Sequence, residues 1–311
     1  MKYLQMGEGV ARPNLPELVI NWHITEACNF SCRYCFAKWD GREKELIHDW
    51  GRTQKLLNEI ASFFTPGNPS NPLEQKLSWS SIRLNLAGGE PLLYPEAALR
   101  VLSHARSLGM NTSIITNGSR LSNDLIDQIA PLISMLGISI DSGLSDTNLG
   151  IGRVDSRGAP LNHQELTYLL ARARDLNPEL TLKLNTVVNA LNVDEDMGAT
   201  LDAIKPDRWK VFRMLPVVTG DLEVSPEAFG TFIARHARYK RVMCVEDNDV
   251  MSESYLMVDP LGRFFQNGLG QQGYEYSESV DLVGAKQAFT GWRFSVSAFA
   301  SRYPSIPIRP V

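Results

Sequence analysis

No apolar run in the 311 residues reaches the roughly 18 needed to span a bilayer. The opening Met1-Lys2-Tyr3-Leu4-Gln5-Met6-Gly7 holds one cation and no apolar core, which argues against secretion. Positive charge is not in excess. Lys plus Arg is 31 and Asp plus Glu is 35, a formal charge of −4. That excludes a general nucleic-acid binder with a basic face, so any phosphate must be held in a local basic pocket. No Walker A string is present, so a phosphate-hydrolysing motor is unsupported. The five histidines, His23, His48, His104, His163 and His236, show no metal-ligand pairing. There is no internal repeat, low-complexity tract or long linker. Composition is otherwise that of a folded soluble protein, with 43% hydrophobic and 21% charged residues, which excludes disorder as the main state.

Cysteine is scarce but clustered. Cys28, Cys32 and Cys35 lie within eight residues, and Cys244 stands alone. In a cytosolic chain, clustered thiols point to metal or redox chemistry rather than disulfides.

Short apolar runs at 18–24, 82–86, 111–116, 135–140, 180–188 and 209–215 read as strands. Amphipathic stretches at 43–64, 96–108, 122–131, 161–175, 195–204 and 226–238 read as helices. The last starts at Ser225-Pro226, an N-cap followed by Pro at the first helical position. Such alternation predicts βαβ units on a parallel sheet. Six units make a curved, partial barrel; eight are not visible. After about 240 shorter strands follow at 241–246, 254–258 and 263–266, with a turn at Asp259-Pro260-Leu261-Gly262. The Pro-rich end reads as extended. The expected fold is α/β, a partial (βα)6 barrel with a C-terminal extension. Its divisions are a segment 1–16, a barrel 17–240 and an extension 241–311 that closes the site. Ligands of such folds sit at the C-terminal ends of the strands.

The first strand runs into Thr25-Glu26-Ala27-Cys28-Asn29-Phe30-Ser31-Cys32-Arg33-Tyr34-Cys35-Phe36, a C-x3-C-x2-C spacing. Three thiolates on one loop suit three irons of a [4Fe–4S] cube and leave the fourth iron open. Structural zinc would want a closed set of four, which only Cys244 or His23 could complete; three structural cysteines are the bland alternative, and Cys244 alone reads as a core residue. The spacing, with an aromatic before the last cysteine, resembles the radical S-adenosylmethionine (SAM) superfamily. The resemblance implies a radical SAM barrel in which SAM chelates the open iron and is cleaved by one electron to a 5′-deoxyadenosyl radical. It assigns Cys28, Cys32 and Cys35 to the cluster and Tyr34, Gly88, Gly89, Glu90, Asn117, Ser139 and Arg153 to SAM. The supporting strings fall at strand ends: Ala87-Gly88-Gly89-Glu90-Pro91, Thr116-Asn117-Gly118-Ser119 and Ser139-Ile140-Asp141-Ser142. Glu90 is expected to accept from the SAM amine and Arg153 to hold its carboxylate.

Longer strings resemble a narrower family, viperin and its prokaryotic relatives, the SAM-dependent nucleotide dehydratases. They include Asn21-Trp22-His23-Ile24-Thr25, Ile151-Gly152-Arg153, Lys183-Leu184-Asn185-Thr186-Val187-Val188-Asn189, Arg208-Trp209-Lys210-Val211-Phe212 and Ser254-Tyr255-Leu256-Met257-Val258-Asp259, across about 17–290. The resemblance implies a ribonucleoside triphosphate substrate (CTP, UTP or GTP) that loses the C4′ hydrogen to the adenosyl radical. The 3′-hydroxyl leaves as water, and a further electron and proton complete a 3′-deoxy-3′,4′-didehydro chain terminator. It further implies Asn21 against the ribose, Tyr255 as a late proton or hydrogen donor, an electron donor such as flavodoxin or ferredoxin, and antiviral defence in a prokaryotic cytoplasm.

The residues themselves suit a triphosphate, since alternate strand positions share a side. Arg83 therefore projects with Asn85, and Arg208 with Lys210. Together with Lys183 they are cations on barrel strands, costly unless an anion pairs them. Surface cations paired by acids such as Asp202 and Asp207 are the plainer alternative, as a half-buried strand residue is for Tyr255.

Departures from the vertebrate pattern are Phe36-Ala37-Lys38-Trp39 after the third cysteine, no N-terminal amphipathic helix, and a final Val311 in place of Trp. They argue against a membrane or the vertebrate cluster-delivery partner. Gly268-Leu269-Gly270-Gln271-Gln272-Gly273 satisfies G-x-G-x-x-G, but no clear helix follows, so it reads as a loop or lid. Two rival functions stand beside the dehydratase: a radical SAM enzyme acting on a peptide or protein, and a non-catalytic metal-binding sensor.

Overall fold

The computed structural model describes residues 13–35, 44–217, 219–267 and 273–302. Six strands alternate with helices as the patterning predicts: β1 (Leu18–His23), β2 (Ile82–Ala87), β3 (Asn111–Thr116), β4 (Met135–Ser139), β5 (Thr181–Val188) and β6 (Arg208–Arg213). The major helices between and after them are α1 (Trp50–Phe63), α2 (Pro95–Ser107), α3 (Asn123–Ile129), α4 (Ser145–Ile151), α5 (His163–Leu176), α6 (Gly198–Ile204) and α7 (Pro226–Arg235). Helix starts follow their caps. Ser225 accepts from Ala228 N at 3.2 Å, as expected. Asp49 accepts from Arg52 N at 3.2 Å, which starts α1 at Trp50 rather than at 43. The short α4 was not expected.

Beyond 240 come β7 (Met243–Glu246), β8 (Leu256–Val258), β9 (Arg263–Gln266) and β10 (Glu275–Ser279), then a last helix, α8 (Val296–Ser301). These ten strands form one sheet in the order β10-β9-β8-β1-β2-β3-β4-β5-β6-β7, beside a small two-stranded sheet of Asn14–Leu15 and Ser78–Trp79. β7 continues the parallel run beside β6, whereas β8 returns to the other edge and pairs parallel with β1. The parallel strands thus number eight: the strands expected at 241–246 and 254–258 join the six of the barrel rather than standing apart as an extension. β9 and β10 add antiparallel to β8. Among the described residues no ladder joins β7 to β8, so the barrel stays partial. Residues 241–279 are woven into the sheet from both sides.

Period-two alternation sorts the two faces. Ile20, Trp22, Leu84, Leu86, Ile114, Leu136, Leu184, Trp209 and Val211 are buried in the apolar core. The alternate residues, Asn21, Arg83, Asn85, Lys183, Asn185, Arg208 and Lys210, line a cavity of about 310 Å³ inside the curve of the sheet.

Candidate active site

The cysteine loop leaves β1 and is held from two sides. On one side is the Gly-Gly turn after β2. Gly89 N donates to Thr25 O at 2.7 Å and Glu90 N to Ala27 O at 2.8 Å. A Cβ at Gly89 would lie 2.1 Å from Ala27 O, and one at Gly88, whose φ is +131°, would lie 2.5 Å from Thr25 O. Both glycines are therefore required for the backbones to approach. On the other side is the end of α4. Ser31 N donates to Gly152 O at 3.2 Å and Arg33 N to Ile151 O at 3.0 Å. Gly152 is in the left-handed conformation, and a Cβ there would lie 2.4 Å from Ser31 O. These clamps set Cys28, Cys32 and Cys35 on the cavity wall. Burial pushes the Cys28 thiol up and the Cys32 thiol up to about 12, with the Arg153 guanidinium acting against the rise at Cys32.

Around the thiols lie the ends of β2 to β5. Gly88, Gly89, Asn117, Ser139, Asp141, Arg153 and Tyr34 all line the cavity, so nearly every residue expected at SAM is gathered there. Asn117 Nδ2 donates to Asn29 Oδ1 at 3.0 Å and lies 3.8 Å from Cys28 Sγ. Arg153 donates to Ser139 O at 2.5 Å and Tyr34 OH at 3.3 Å, and pairs with Asp141 at 3.4 Å. Burial opposes the Arg153 charge, but Asp141, Tyr34 and Cys32 outweigh it and raise its pKa. Tyr34 OH in turn donates to Asp141 Oδ2, and Val187 N donates to Oδ1 at 2.9 Å. Asp141 is thus the hub of this wall; the sequence offered it only as a polar strand end.

Glu90 is placed differently from expectation. It is fully buried, it is absent from the cavity lining, and its oxygens accept from Thr116 Oγ1 (2.7 Å), Asn117 N (2.7 Å) and Leu92 N (2.9 Å). It braces the Gly-Gly turn against the Asn117 turn.

Farther along the strands the cavity turns cationic. Register sets Lys183 beside Arg208 and Asn185 beside Lys210. Lys183 has no hydrogen-bond or ion-pair partner among the described residues. Burial, then the charges of Lys210, Arg208 and Arg83, push its pKa down. Arg83 pairs with Glu17 at 2.9 Å. Arg208 donates to Cys244 Sγ at 3.3 Å and to Arg302 O at 3.3 Å. Lys210 pairs with Glu246, yet burial still pulls its pKa down to about 8. Asp202 and Asp207 pair elsewhere, with Arg238 and Arg174. A neutral ladder adjoins the cations: Ser113 Oγ donates to Asn85 Oδ1 (2.7 Å) and Asn85 Nδ2 to Asn21 Oδ1 (2.9 Å). Asn185 Oδ1 is buried, faces this cavity and has no partner. Its position two after Lys183 was the available signal, and it went unused.

Tyr255 lines the same cavity, its hydroxyl donating to Glu246 Oε2 at 2.5 Å. Neither Glu246 nor Arg302, which also binds Glu246, was singled out from sequence. Of the remaining sequence features, 36–39, 268–272 and the Pro-rich end from 303 lie outside the described residues.

The donor set fits a four-iron cube with SAM. Three thiols share one loop, and the cavity beside them presents both an Arg and backbone polar groups for an amino acid's carboxylate and amine. Among the described residues no three His, Cys, Asp or Glu side chains gather at a single-ion position. Cys244, one of the two residues that could have closed a zinc site, lies on β7 against Arg208; the other, His23, lines the cavity but joins no such group among the described residues.

Comparison with known proteins agrees with this geometry. Residues 22–204 match the Radical SAM superfamily model. The chain is 42% identical to the S-adenosylmethionine-dependent nucleotide dehydratase of Psychrobacter lutiphocae, over 92% of this chain and 95% of that one. It is 40% identical to the protein of the same description from Pseudoalteromonas ulvae, over 94% and 95%. Among solved structures, anSMEcpe with bound AdoMet and Kp18Cys peptide superposes with a TM-score of 0.62 at 13% identity, covering 91% of this chain and 84% of that one, a likeness of fold.

Proposed function

The chain belongs to the S-adenosylmethionine-dependent nucleotide dehydratases of the radical SAM superfamily, and from that premise we propose that it converts a ribonucleoside triphosphate, CTP, UTP or GTP, to its 3′-deoxy-3′,4′-didehydro analogue. When bound, the cluster held by Cys28, Cys32 and Cys35 and the SAM beside it supply a 5′-deoxyadenosyl radical that takes the C4′ hydrogen. Arg153, Ser139, Asn117, Tyr34 and the Gly88-Gly89 backbone orient SAM. With Glu90 committed to the protein, the amine contact falls to a backbone carbonyl of that turn. Lys183, Lys210, Arg208 and Arg83 hold the triphosphate, and Asn21 and Asn85 the ribose. Tyr255 gives the proton that turns the departing 3′-hydroxide into water. The negative charge left on the hydrogen-bonded Tyr255–Glu246 pair is met by the Arg302 guanidinium, 3.5 Å from the tyrosine ring centre, and by the Lys210 ammonium at 5.6 Å. One further electron, from a carrier such as flavodoxin or ferredoxin, balances the loss of hydroxide.

The observation that carries this reading is Lys183: a half-buried amine that no carboxylate contacts among the described residues, beside other cations, in the cavity that the cysteines open onto. A peptide substrate would not require that charge. The six strands of 17–240 form the barrel's middle, and β7 and β8 from the later part of the chain extend its parallel sheet at both edges beside the site. No described helix is long and apolar enough to cross a membrane, in keeping with a cytoplasmic enzyme making antiviral chain terminators.

The test is release of 5′-deoxyadenosine from reduced, anaerobically reconstituted protein. CTP, UTP or GTP should stimulate it, with a nucleotide product 18 mass units lighter, the mass of the water lost. Stimulation by a peptide and by no nucleotide would reverse the assignment.

A further inference from the structure

Behind the cavity wall, one carboxylate holds two of the groups that face the substrate. Glu246, the last residue of β7, pairs with the Lys210 ammonium and accepts from the Tyr255 hydroxyl at 2.5 Å. Lys210 and Tyr255 line the cavity; Glu246 does not. Arg302 anchors it. Directly after α8, this side chain is 2% exposed and lies at the seam between β7 and β8, which no ladder closes among the described residues. It binds Glu246 through Nη2, and Val250 O (2.7 Å) and Ser254 Oγ (2.9 Å) through Nη1. Its guanidinium covers the Tyr255 ring, and its own carbonyl accepts from Arg208. A bolt needed only to shut the seam would have no use for Lys210 or the tyrosine hydroxyl. Burial alone would raise the Glu246 pKa, but Lys210 and Arg302 hold it below the usual carboxylate range, so the group is charged.

We propose that Glu246, anchored by Arg302, is a positioning residue for the dehydration, setting the Tyr255 hydroxyl and the Lys210 ammonium in one fixed relation to the nucleotide. The proposal rests on the nucleotide dehydratase reading of the cavity. Glu246 also removes one unit of positive charge from the triphosphate site. Affinity and product formation should therefore part company when that charge is removed at constant shape.

In Glu246→Gln the amide keeps the side-chain outline but frees Lys210, so triphosphate should bind about threefold more tightly when compared at a pH low enough to keep Lys210 protonated in both proteins, since Glu246 is what holds that pKa up. An amide oxygen accepts more weakly than a carboxylate, so Tyr255 is aimed less well. The fraction of SAM cleavages that yield dehydrated nucleotide should fall about tenfold. The tighter binding should vanish in a Lys210→Met background, and Glu246→Gln should lower the coupled fraction no further once Tyr255 is Phe, since a positioning residue has nothing left to aim. Arg302→Lys keeps the charge but cannot reach all three anchors; it should lower the coupled fraction without tightening binding, and it carries the test if Glu246→Gln does not fold. A change in unfolding midpoint alone, with affinity and coupled fraction as in the wild type, or additive effects with Tyr255→Phe, would overturn the proposal. A wild-type protein whose SAM cleavage ignores all three nucleotides would overturn the dehydratase reading beneath it, a result visible before any variant is compared.

Discussion

A half-buried amine set among cations, with no carboxylate in contact, costs folding free energy, and Lys183 is such a group among the described residues, Glu246 acting on it only from a distance. Stability and function should therefore pull apart there. Lys183→Met is expected to raise the unfolding midpoint of the nucleotide-free protein while weakening triphosphate binding by ~1.5–3 kcal/mol, the range for a charge-assisted contact. Calorimetry and equilibrium binding on one preparation check both halves; a variant that gains stability and still binds nucleotide normally removes Lys183 from the site. Lys210 supplies a pH signature. Burial brings its pKa down to about 8, bound phosphates favour the ammonium, and the phosphates are themselves ionised by then. Nucleotide affinity should be fully present below pH 8 and decline as pH rises through it; equal dissociation constants at pH 7 and pH 9 would contradict this. At this scale the sequence was legible wherever a residue announced its chemistry by spacing: three cysteines, and cations at alternate strand positions. Asp141, Glu246 and Arg302 were not legible. An acid or base reveals its partner only when the chain brings the two together, and Arg302 lies 56 residues from Glu246.

The cysteine loop has no regular structure of its own in its described part, and its shape comes from the turns that grip it. Gly152→Ala puts a Cβ 2.4 Å from Ser31 O and forces a side chain into a left-handed conformation. The loop must shift, so anaerobic reconstitution should give well under half the wild-type iron and sulfide per chain while far-ultraviolet circular dichroism stays unchanged. Full cluster loading would show that the α4 clamp is dispensable. Most strands and helices were readable from periodicity, because half-buried elements write their exposed face into the sequence. The misses have local causes. Helix α1 starts late because Asp49 caps it, and α4 is too short for a period to accumulate. The Gly-Gly-Glu string was placed correctly at a strand end. What it does there, with two glycines admitting the neighbouring backbone and the glutamate bracing a turn, needed the packing partner to be seen.

The barrel interior is an open cavity rather than the packed layers of branched apolar residues that fill an ordinary barrel. Here Asn, Arg and Lys share the cavity wall with apolar residues such as Val19, Ile115, Val187 and Phe212, while the larger apolar core packs on the helix side. Stability of the whole is thereby linked to its ligand. Triphosphate at about a hundredfold its dissociation constant should add ~2.7 kcal/mol, and the unfolding midpoint should rise by a few degrees. The matching nucleoside, lacking the anion, should leave it nearly unmoved; an equal rise with the nucleoside would place the recognition elsewhere than in the cations. The C-terminal residues belong to this scale as well. Expected as an appendage, they extend the same sheet from both edges, β7 beside β6 and β8 beside β1. Strand order across such distances is set by which edges remain free once the first six strands have paired, and no local pattern records that. The sequence by itself determined the α/β alternation, the cysteine spacing and the inward row of cations, since each depends on residues a few positions apart. Only the tertiary structure decided that the cations and thiols share one cavity, that Glu90 braces rather than lines it, and that Glu246 and Arg302 join its two ends, because each of these depends on which distant segments fold against one another.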